Sequence, residues 1–251
     1  MKRKNLAFIC IVAVLAVAAS GIFGCARDFE SPIAIDAEHF PDEIFRAYVS
    51  DYYDRDDDGM LDGSEIRAAI NCTPKEQEIK SLQGIEFLTE VKSLDCSNNE
   101  LERLDVSKNK KLEYLEASFN PLSELELGDR SALTELICYQ TPLTRLDVKN
   151  CTRLKTLYCS RFEFTELDIS DHPSLVKVHC SVGELRELKA HKCPALVELD
   201  CYDNSLTSLD LHGCSALERL RCQHNPLTTL NLKGCDHLQN EPDMEGLTIV
   251  R

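Results

Sequence analysis

The sequence predicts a solenoid of stacked 21-residue coils with short parallel strands, preceded by a small helical segment. The first observation is that cysteine or alanine recurs every 21 residues from Cys96 to Cys222. The second is that leucines keep the same interval around these positions through seven repeats without an insertion. A fixed period of roughly 20–29 residues with the order L-x-x-L-x-(L/C)-x-x-N-x-L is typical of leucine-rich repeats. The predicted fold class is therefore a leucine-rich repeat solenoid, rich in β-structure.

The strand of each coil is predicted around the cysteine position. Leu94 lies two residues before Cys96, so both side chains point inward from one strand. Parallel strands about 4.8 Å apart would then stack the thiols of successive coils into a buried column. Buried free cysteine packs as a small hydrophobe, and side chains that point the same way disfavour disulfides between neighbouring coils. Burial is expected to raise the pKa of these thiols and keep them inert.

A second column also follows the 21-residue interval, at Cys151, Cys193, Cys214 and Cys235, with Asn109 and His172 in the same place in other coils. A linear stack offers no tetrahedral arrangement, so we predict packing at a turn instead of zinc binding or catalysis. A further strand per coil is predicted at Leu104–Val106, Leu146–Val148, Leu167–Ile169 and Leu209–Leu211.

Composition narrows the function classes. The chain has 43 acidic and 28 basic residues and a formal net charge of −15. This argues against nucleic acid or an anionic membrane as a partner, because both are bound by basic patches. We find no nucleophile elbow, phosphate loop or HExxH motif, so the sequence does not predict an enzyme.

Residues 1–25 have the layout of a bacterial export signal. Lys2, Arg3 and Lys4 precede an apolar run, and the segment ends in Gly24-Cys25. This end resembles a lipobox, in which Cys25 would be acylated and become the N-terminus, although Phe23 stands where a small residue is usual. Plain secretion and an uncleaved membrane anchor are the alternatives. Each alternative predicts a chain that faces outside the cytoplasm, and residues 26–35 are predicted to be a short tether.

A calcium-binding loop is predicted at 54–65, DRDDDGMLDGSE. Carboxylates occupy loop positions 1, 3, 5, 9 and 12, glycine stands at the sharp turn of position 6, and position 7 would offer its backbone carbonyl. The alternative is an acidic turn without metal. A single hand outside the cell is expected to be structural, with a Kd of about 10⁻⁴–10⁻³ M. The predicted ligands are Asp54, Asp56, Asp58, Met60, Asp62 and Glu65.

The flanks of this loop are helical in pattern. Apolar residues at spacings of three to four predict an amphipathic helix over 37–53, with Pro41 in its first turn. A short helix is predicted to continue over 66–70 and to end at the latest at Pro74. Leu61 is predicted to be buried by the short strand of the loop.

The repeats resemble the cysteine-ladder branch of the internalin family, which puts cysteine in the strand as LDCSNN, LICYQT and LRCQHN do here. The segment before them looks like the N-terminal part of bacterial leucine-rich-repeat lipoproteins. The resemblance implies adhesion or protein recognition, not catalysis. The chain departs from it in its asparagine ladder, which is present at Asn99, Asn120, Asn204 and Asn225 but replaced by Thr141, Phe162 and Gly183. A local change of curvature is expected there.

The outward residues of the strand sheet are the predicted binding face. Tyrosine and arginine combine contact area with hydrogen bonding and are common anchors, although tyrosine is also simply favoured in strands. The candidate partner-binding residues are Tyr114, Phe119, Ile137, Tyr139, Tyr158, Arg161, His179, Tyr202 and Arg221.

The prediction is a monomeric, lipid-anchored module of the bacterial cell envelope that binds a protein or glycan partner and touches the membrane only through its anchor. The alternative is an envelope spacer without a specific ligand. The predicted organisation is a signal peptide at 1–25, a tether at 26–35, a calcium-binding segment at 36–73, an atypical coil at 74–90, seven repeats at 91–237 and a C-terminal cap at 238–251.

Overall fold

The computed structural model describes residues 31–128, 132–240, 242 and 245–251. The predicted signal peptide and Cys25 lie outside these residues. No helix in the described ranges is both long and apolar enough to cross a membrane. In chain order the elements are β1 (Ile33–Ala34), α1 (Glu43–Tyr53), β2 (Met60–Leu61), α2 (Gly63–Ala68), β3 (Asn71–Cys72), a 3₁₀ turn (Ile85–Phe87), β4 (Ser93–Asp95), β5 (Arg103–Asp105), β6 (Tyr114–Glu116), β7 (Glu124–Glu126), β8 (Glu135–Ile137), β9 (Thr156–Tyr158), β10 (Glu166–Asp168), β11 (Lys177–His179), β12 (Glu187–Lys189), β13 (Glu198–Asp200), β14 (Ser208–Asp210), β15 (Arg219–Arg221), β16 (Thr229–Asn231) and β17 (Thr248–Val250).

The repeats form a parallel solenoid of 21-residue coils, as predicted, and the solenoid has about eight coils. Eight strands make its main sheet, in the order β15-β13-β11-β9-β8-β6-β4-β3. Leu115 pairs with Leu94 on one side and with Leu136 on the other, so the register follows the sequence interval. In most of these strands the middle residue is buried and its two neighbours face outward. Because this sheet lines the inner side of the horseshoe in leucine-rich repeats, we call its outward side the concave face.

The second sheet is interrupted. β5 pairs with β7, and β10, β12, β14, β16 and β17 form a separate run. These strands begin one residue earlier than predicted, and the strand expected at Leu146–Val148 is absent. The concave sheet continues through the same coils, since Glu135 pairs with Thr156 and Thr156 with Lys177. The break therefore falls on the second sheet alone.

Asparagines link the coils wherever the ladder is present. Asn120 donates from Nδ2 to the carbonyl of Cys96 at 3.0 Å and accepts at Oδ1 from the amide of Leu101. Asn204 and Asn225 repeat this pattern. Each amide thus satisfies buried backbone groups of two coils at once.

Aromatic packing replaces the ladder in the middle coils. Phe162 stacks on Phe164 with ring centroids 3.9 Å apart, and both rings are buried. A Cβ at position 183 would lie only 2.4 Å from the Phe162 ring, so the ring occupies the space that a side chain of Gly183 would need. Thr141 keeps only a local bond, from Oγ1 to the carbonyl of Cys138. The substitutions at 162 and 183 are therefore complementary in size.

The second cysteine column has a shared role that the sequence analysis missed. Five of its members donate to the backbone carbonyl 24 residues earlier, one coil below. Asparagine, histidine and cysteine are interchangeable here because each offers a donor. The sequence already showed that all three residue types at this position can donate a hydrogen bond, but the prediction assigned them only a packing role. The pairs are Asn109 Nδ2 with Ile85 O at 2.8 Å, His172 Nε2 with Val148 O at 3.0 Å, Cys193 Sγ with Ile169 O at 3.0 Å, Cys214 Sγ with Ala190 O at 3.0 Å and Cys235 Sγ with Leu211 O at 3.2 Å.

The N-terminal segment differs from the prediction in three places. Helix α1 begins at Glu43, because Asp42 caps it by accepting from the amides of Ile44 and Phe45; Pro41 therefore precedes the helix. Helix α2 covers Gly63–Ala68 and ends before the predicted residue 70. Residues 33–34, predicted to be tether, form β1 and pair antiparallel with β2.

The segment is fastened to the solenoid by hydrogen bonds. The Asp42 carboxylate, besides capping α1, accepts from the amides of Lys80 and Ser81 through Oδ2. The Tyr53 hydroxyl donates to the carbonyl of Asn71, in the edge strand of the concave sheet, at 2.7 Å. Strand β3 belongs to that sheet, so the N-terminal segment contributes a strand to the concave sheet of the solenoid.

Candidate functional sites: the concave face and the acidic loop

The predicted partner-binding residues all come from the strands of the concave sheet or the turns that follow them. They differ in exposure, with Phe119, Arg161 and Arg221 exposed and the others half-buried. Tyr114 lies in β6, Ile137 in β8, Tyr158 in β9, His179 in β11 and Arg221 in β15, while Phe119, Tyr139, Arg161 and Tyr202 lie in the turns.

The aromatic residues form separate pairs instead of one patch. Phe119 meets Tyr139 edge to face with centroids 4.9 Å apart. Tyr158 lies 4.7 Å from the ring of His179. Arg221 lies 5.5 Å above the ring of Tyr202, within cation–π range.

A charge network that the sequence analysis did not single out occupies the C-terminal half of the face. Glu198 accepts from Arg219 Nη2 at 2.7 Å and lies 3.0 Å from His179 Nε2. Arg221 Nη1 lies 2.9 Å from Asp200 Oδ2, and Ser181 donates to the other oxygen. The Arg219 hydrogen bond, followed by that of His179, lowers the pKa of Glu198 to about 2. These residues are one coil apart, and only the stacking of strands brings them together.

The turns after the strands use left-handed backbone. Phe119 has φ of 56°, Arg161 62° and Val182 57°. Asparagine or aspartate tolerates this region, as Asn98 and Asp203 do at the same place in other coils, whereas a β-branched or bulky residue is strained there. Phe119 and Val182 are nevertheless 38% and 40% exposed.

The acidic loop brings three of its predicted ligands together. One oxygen each of Asp54, Asp56 and Asp58 lies within 4.8 Å of the others, the only such cluster of potential metal ligands in the described ranges. Gly59 has φ of 77°, which a side chain would strain, so the turn at loop position 6 requires glycine. Converging carboxylate oxygens are the donors that Ca²⁺ prefers, and this part of the loop fits the ion.

The other two predicted carboxylates hold the loop closed. Glu65 is buried and accepts from the amide of Arg55 at 2.7 Å and from that of Asp62 at 2.9 Å. Asp62 caps α2 by accepting from the amides of Ser64 and Glu65. Met60 donates its amide to Asp58 and lies in β2, and Leu61 is fully buried as predicted. The predicted ligand carboxylates are thus divided by the fold into three that converge and two that close the loop.

The first cysteine column is buried and reduced. All eleven cysteines in the described ranges are free and buried. Burial raises the pKa of Cys138 to about 12 and that of Cys159 well above its usual value. Their thiolates are therefore scarce at neutral pH, which agrees with a packing role.

Comparisons with known proteins concern the fold. No protein-family model matches the chain, and no curated protein matches it. InlP from Listeria monocytogenes matches with a TM-score of 0.60 at 17% identity, over 81% of this chain and 66% of that one. The InlJ functional domain from Listeria monocytogenes, which includes a cysteine ladder, matches at 23% identity and a TM-score of 0.42, over 86% and 64%. YopM from Yersinia enterocolitica matches at 24% identity and a TM-score of 0.49, over 64% and 38%.

The chain spans less than two thirds of the InlJ domain and of YopM. At these identities the likeness to InlP shows the fold alone, a leucine-rich repeat solenoid.

Proposed function

We propose that this protein is a recognition or adhesion module of the bacterial cell envelope that binds a protein or glycan partner on its concave face. The observation that supports this most directly is the outward row of the concave sheet. Ile137 and Tyr158 stand next to each other in register on that row, and both are partly exposed to solvent. An exposed strand face with apolar and aromatic side chains is a surface that a partner can bury.

A capture experiment tests this function. The purified protein with calcium is exposed to arrays of glycans and of extracellular and envelope proteins. Saturable capture is expected, and Tyr139→Ala with Tyr158→Ala should abolish it. Tyr52→Ala is the matched control, since Tyr52 is an exposed tyrosine on α1. Absence of saturable capture by folded protein would favour the envelope spacer.

We also propose that the acidic loop is a structural Ca²⁺ site of an EF-hand type. Asp54, Asp56 and Asp58 would supply the converging oxygens, with Met60, Asp62 and Glu65 completing the set. In paired hands the loop strand pairs with that of a second loop, and here β1 takes that place beside β2. Bound Ca²⁺ would neutralise the mutual repulsion of the carboxylates.

Substitution of Asp56 gives the sharper test of Ca²⁺ binding. Its carboxylate is exposed and makes no hydrogen bond within the described residues, whereas Asp54 accepts from the amides of Asp58 and Gly59. Calorimetry should show Ca²⁺ binding that Asp56→Asn weakens without unfolding the protein. Unchanged binding in that variant would remove Asp56 from the site, and no heat from the native protein would remove the site.

Attachment to the membrane through an acylated Cys25 completes the proposal. Replacing Cys25 with serine should release the protein from the membrane fraction of the cell. Retention of that variant in the membrane fraction would refute the lipid anchor and leave the recognition surface unaffected.

A further inference from the structure

The concave face carries two unlike distributions of charge. In its C-terminal half, both outward carboxylates are neutralised by the face itself. Glu198 is bonded by Arg219 and His179, and Asp200 by Arg221. This half therefore offers little unbalanced charge to a partner.

In the N-terminal half, two of the three outward carboxylates lack such partners. Asp95 is 3.5 Å from the Lys75 ammonium, but Glu116 and Glu135 form no ion pair with any described residue. Burial, together with the charges of Asp95 and Glu135, raises the pKa of Glu116. Burial also raises the pKa of the Tyr114 phenol, and the charges of Glu116, Asp95 and Glu135 add to this effect. Negative potential is thus concentrated around β4, β6 and β8.

Apolar groups border these carboxylates. Ile137 lies directly beside Glu116 in the register of β6 and β8 and faces outward. Phe119 follows β6, is exposed, and is held in left-handed backbone against the edge of Tyr139. An asparagine serves the same turn in the preceding coil without strain. The backbone conformation of this turn therefore does not require an aromatic side chain.

We infer that the partner is a protein that presents a basic segment, with lysine or arginine next to an aliphatic or aromatic side chain, to β4, β6 and β8 of the concave face. The cationic groups would meet Glu116 and Glu135, and the apolar neighbour would cover Ile137 and Phe119. Tyr114 lies among the carboxylates, where its ring can receive a cation. The net charge of −15 attracts a basic segment from a distance as well. A neutral glycan offers no counter-charge to this half, so a protein is favoured.

This inference rests on the proposed recognition function and names the partner class. A phage-displayed library of random dodecapeptides, selected on the purified protein with calcium, is the probe. Selected peptides should be enriched in lysine or arginine within two positions of an aliphatic or aromatic residue. Calorimetry with the synthetic peptide of the dominant clone should show affinity that falls as salt increases.

The decisive variant is Glu116→Gln with Glu135→Gln. Glutamine keeps an oxygen for the amide of Ser118, to which Glu116 is bonded, so the fold should persist. Affinity should fall about 10-fold or more. The control, Glu163→Gln with Glu166→Gln, removes the same charge from exposed positions outside the concave sheet and should change affinity less than about 2-fold.

Phe119→Asn separates binding from folding. This variant should weaken peptide binding while the melting temperature is kept or raised, because asparagine adopts left-handed backbone with less strain than phenylalanine. A purely structural role for Phe119 predicts the reverse, with a lower melting temperature and unchanged binding.

Three outcomes would overturn the inference: selection of acidic or neutral peptides, equal losses in the two glutamine variants, or saturable binding of a neutral glycan that Glu116→Gln with Glu135→Gln leaves intact. The recognition function is refuted separately, by the absence of saturable capture by the folded protein. If the Tyr139 and Tyr158 substitutions abolish capture while the Glu116 and Glu135 substitutions do not, the concave face remains the binding surface and the basic partner is wrong.

Discussion

Replacing Gly183 with alanine tests how the middle coils pack without the asparagine ladder. The backbone of Gly183 does not require a glycine, since its φ is outside the left-handed region. At such a position alanine ordinarily stabilises a protein by about 0.4–1 kcal/mol, because it restricts the unfolded chain. Here the added Cβ would lie 2.4 Å from both Cε2 and Cζ of Phe162 and 3.1 Å from Asn204 Oδ1.

The Phe162 ring cannot easily move away. It is 6% exposed and lies almost parallel to Phe164, at 7°. Overpacking of this kind costs about 1–3 kcal/mol. After the backbone gain is subtracted, the free energy of unfolding should fall by about 1–2 kcal/mol. The melting temperature should then fall by about 2–8 °C for a domain of this size.

Thermal unfolding followed by circular dichroism measures this change. Gly63→Ala is the matched control, because its Cβ would approach only the flexible end of Arg67, at 3.1 Å, and alanine favours helix α2. That variant should be neutral or stabilised. In the background of Phe162→Ala, the cost of Gly183→Ala should disappear, a coupling of about 1 kcal/mol or more. A stabilised Gly183→Ala protein, or additive effects of the two changes, would refute the packing argument.

Four further predictions concern other parts of the molecule. Calcium should raise the melting temperature of the native protein. Asp54→Ala should remove that rise and also destabilise the loop, because the Asp54 carboxylate accepts hydrogen bonds from two loop amides; an unchanged rise would exclude Asp54 as a ligand. Cys214→Ala should cost about 1–3 kcal/mol more than Cys201→Ala in urea denaturation, because it leaves a buried carbonyl without its donor, whereas alanine occurs naturally in the first column at residue 117; equal costs would contradict the donor role. Val182→Asn should raise stability by about 1 kcal/mol by relieving left-handed strain, and a loss of stability would show that no strain is stored there. The depressed pKa of Glu198 contributes stability above the ordinary glutamate value of about 4.3, and this is lost as pH falls towards about 2; Arg219→Gln should therefore raise the midpoint pH of acid unfolding, and an unshifted midpoint would contradict the ion pair.

Much of the fold was readable in the sequence because its pattern repeats. The 21-residue interval predicted the parallel register that pairs Leu94 with Leu115, and the inward direction of Cys96 followed from the alternation of a strand. The acidic loop could be predicted for another reason, since all its candidate ligands lie within twelve consecutive residues. The start of α1 was wrong because the apolar spacing continues beyond the helix, while the cap at Asp42 decides where it begins.

What the sequence by itself determined is whatever depends on local order or on a fixed interval: the coils, the two cysteine columns and the loop residues. The tertiary structure decided what depends on contacts between coils. Glu198 meets Arg219, Phe162 fills the space above Gly183, and the second column reaches carbonyls one coil below. Strand β1 likewise supports the loop from residues predicted to be tether. Such contacts arise from stacking, in which side-chain size and charge are matched between residues about 20 positions apart, and no single coil contains that information.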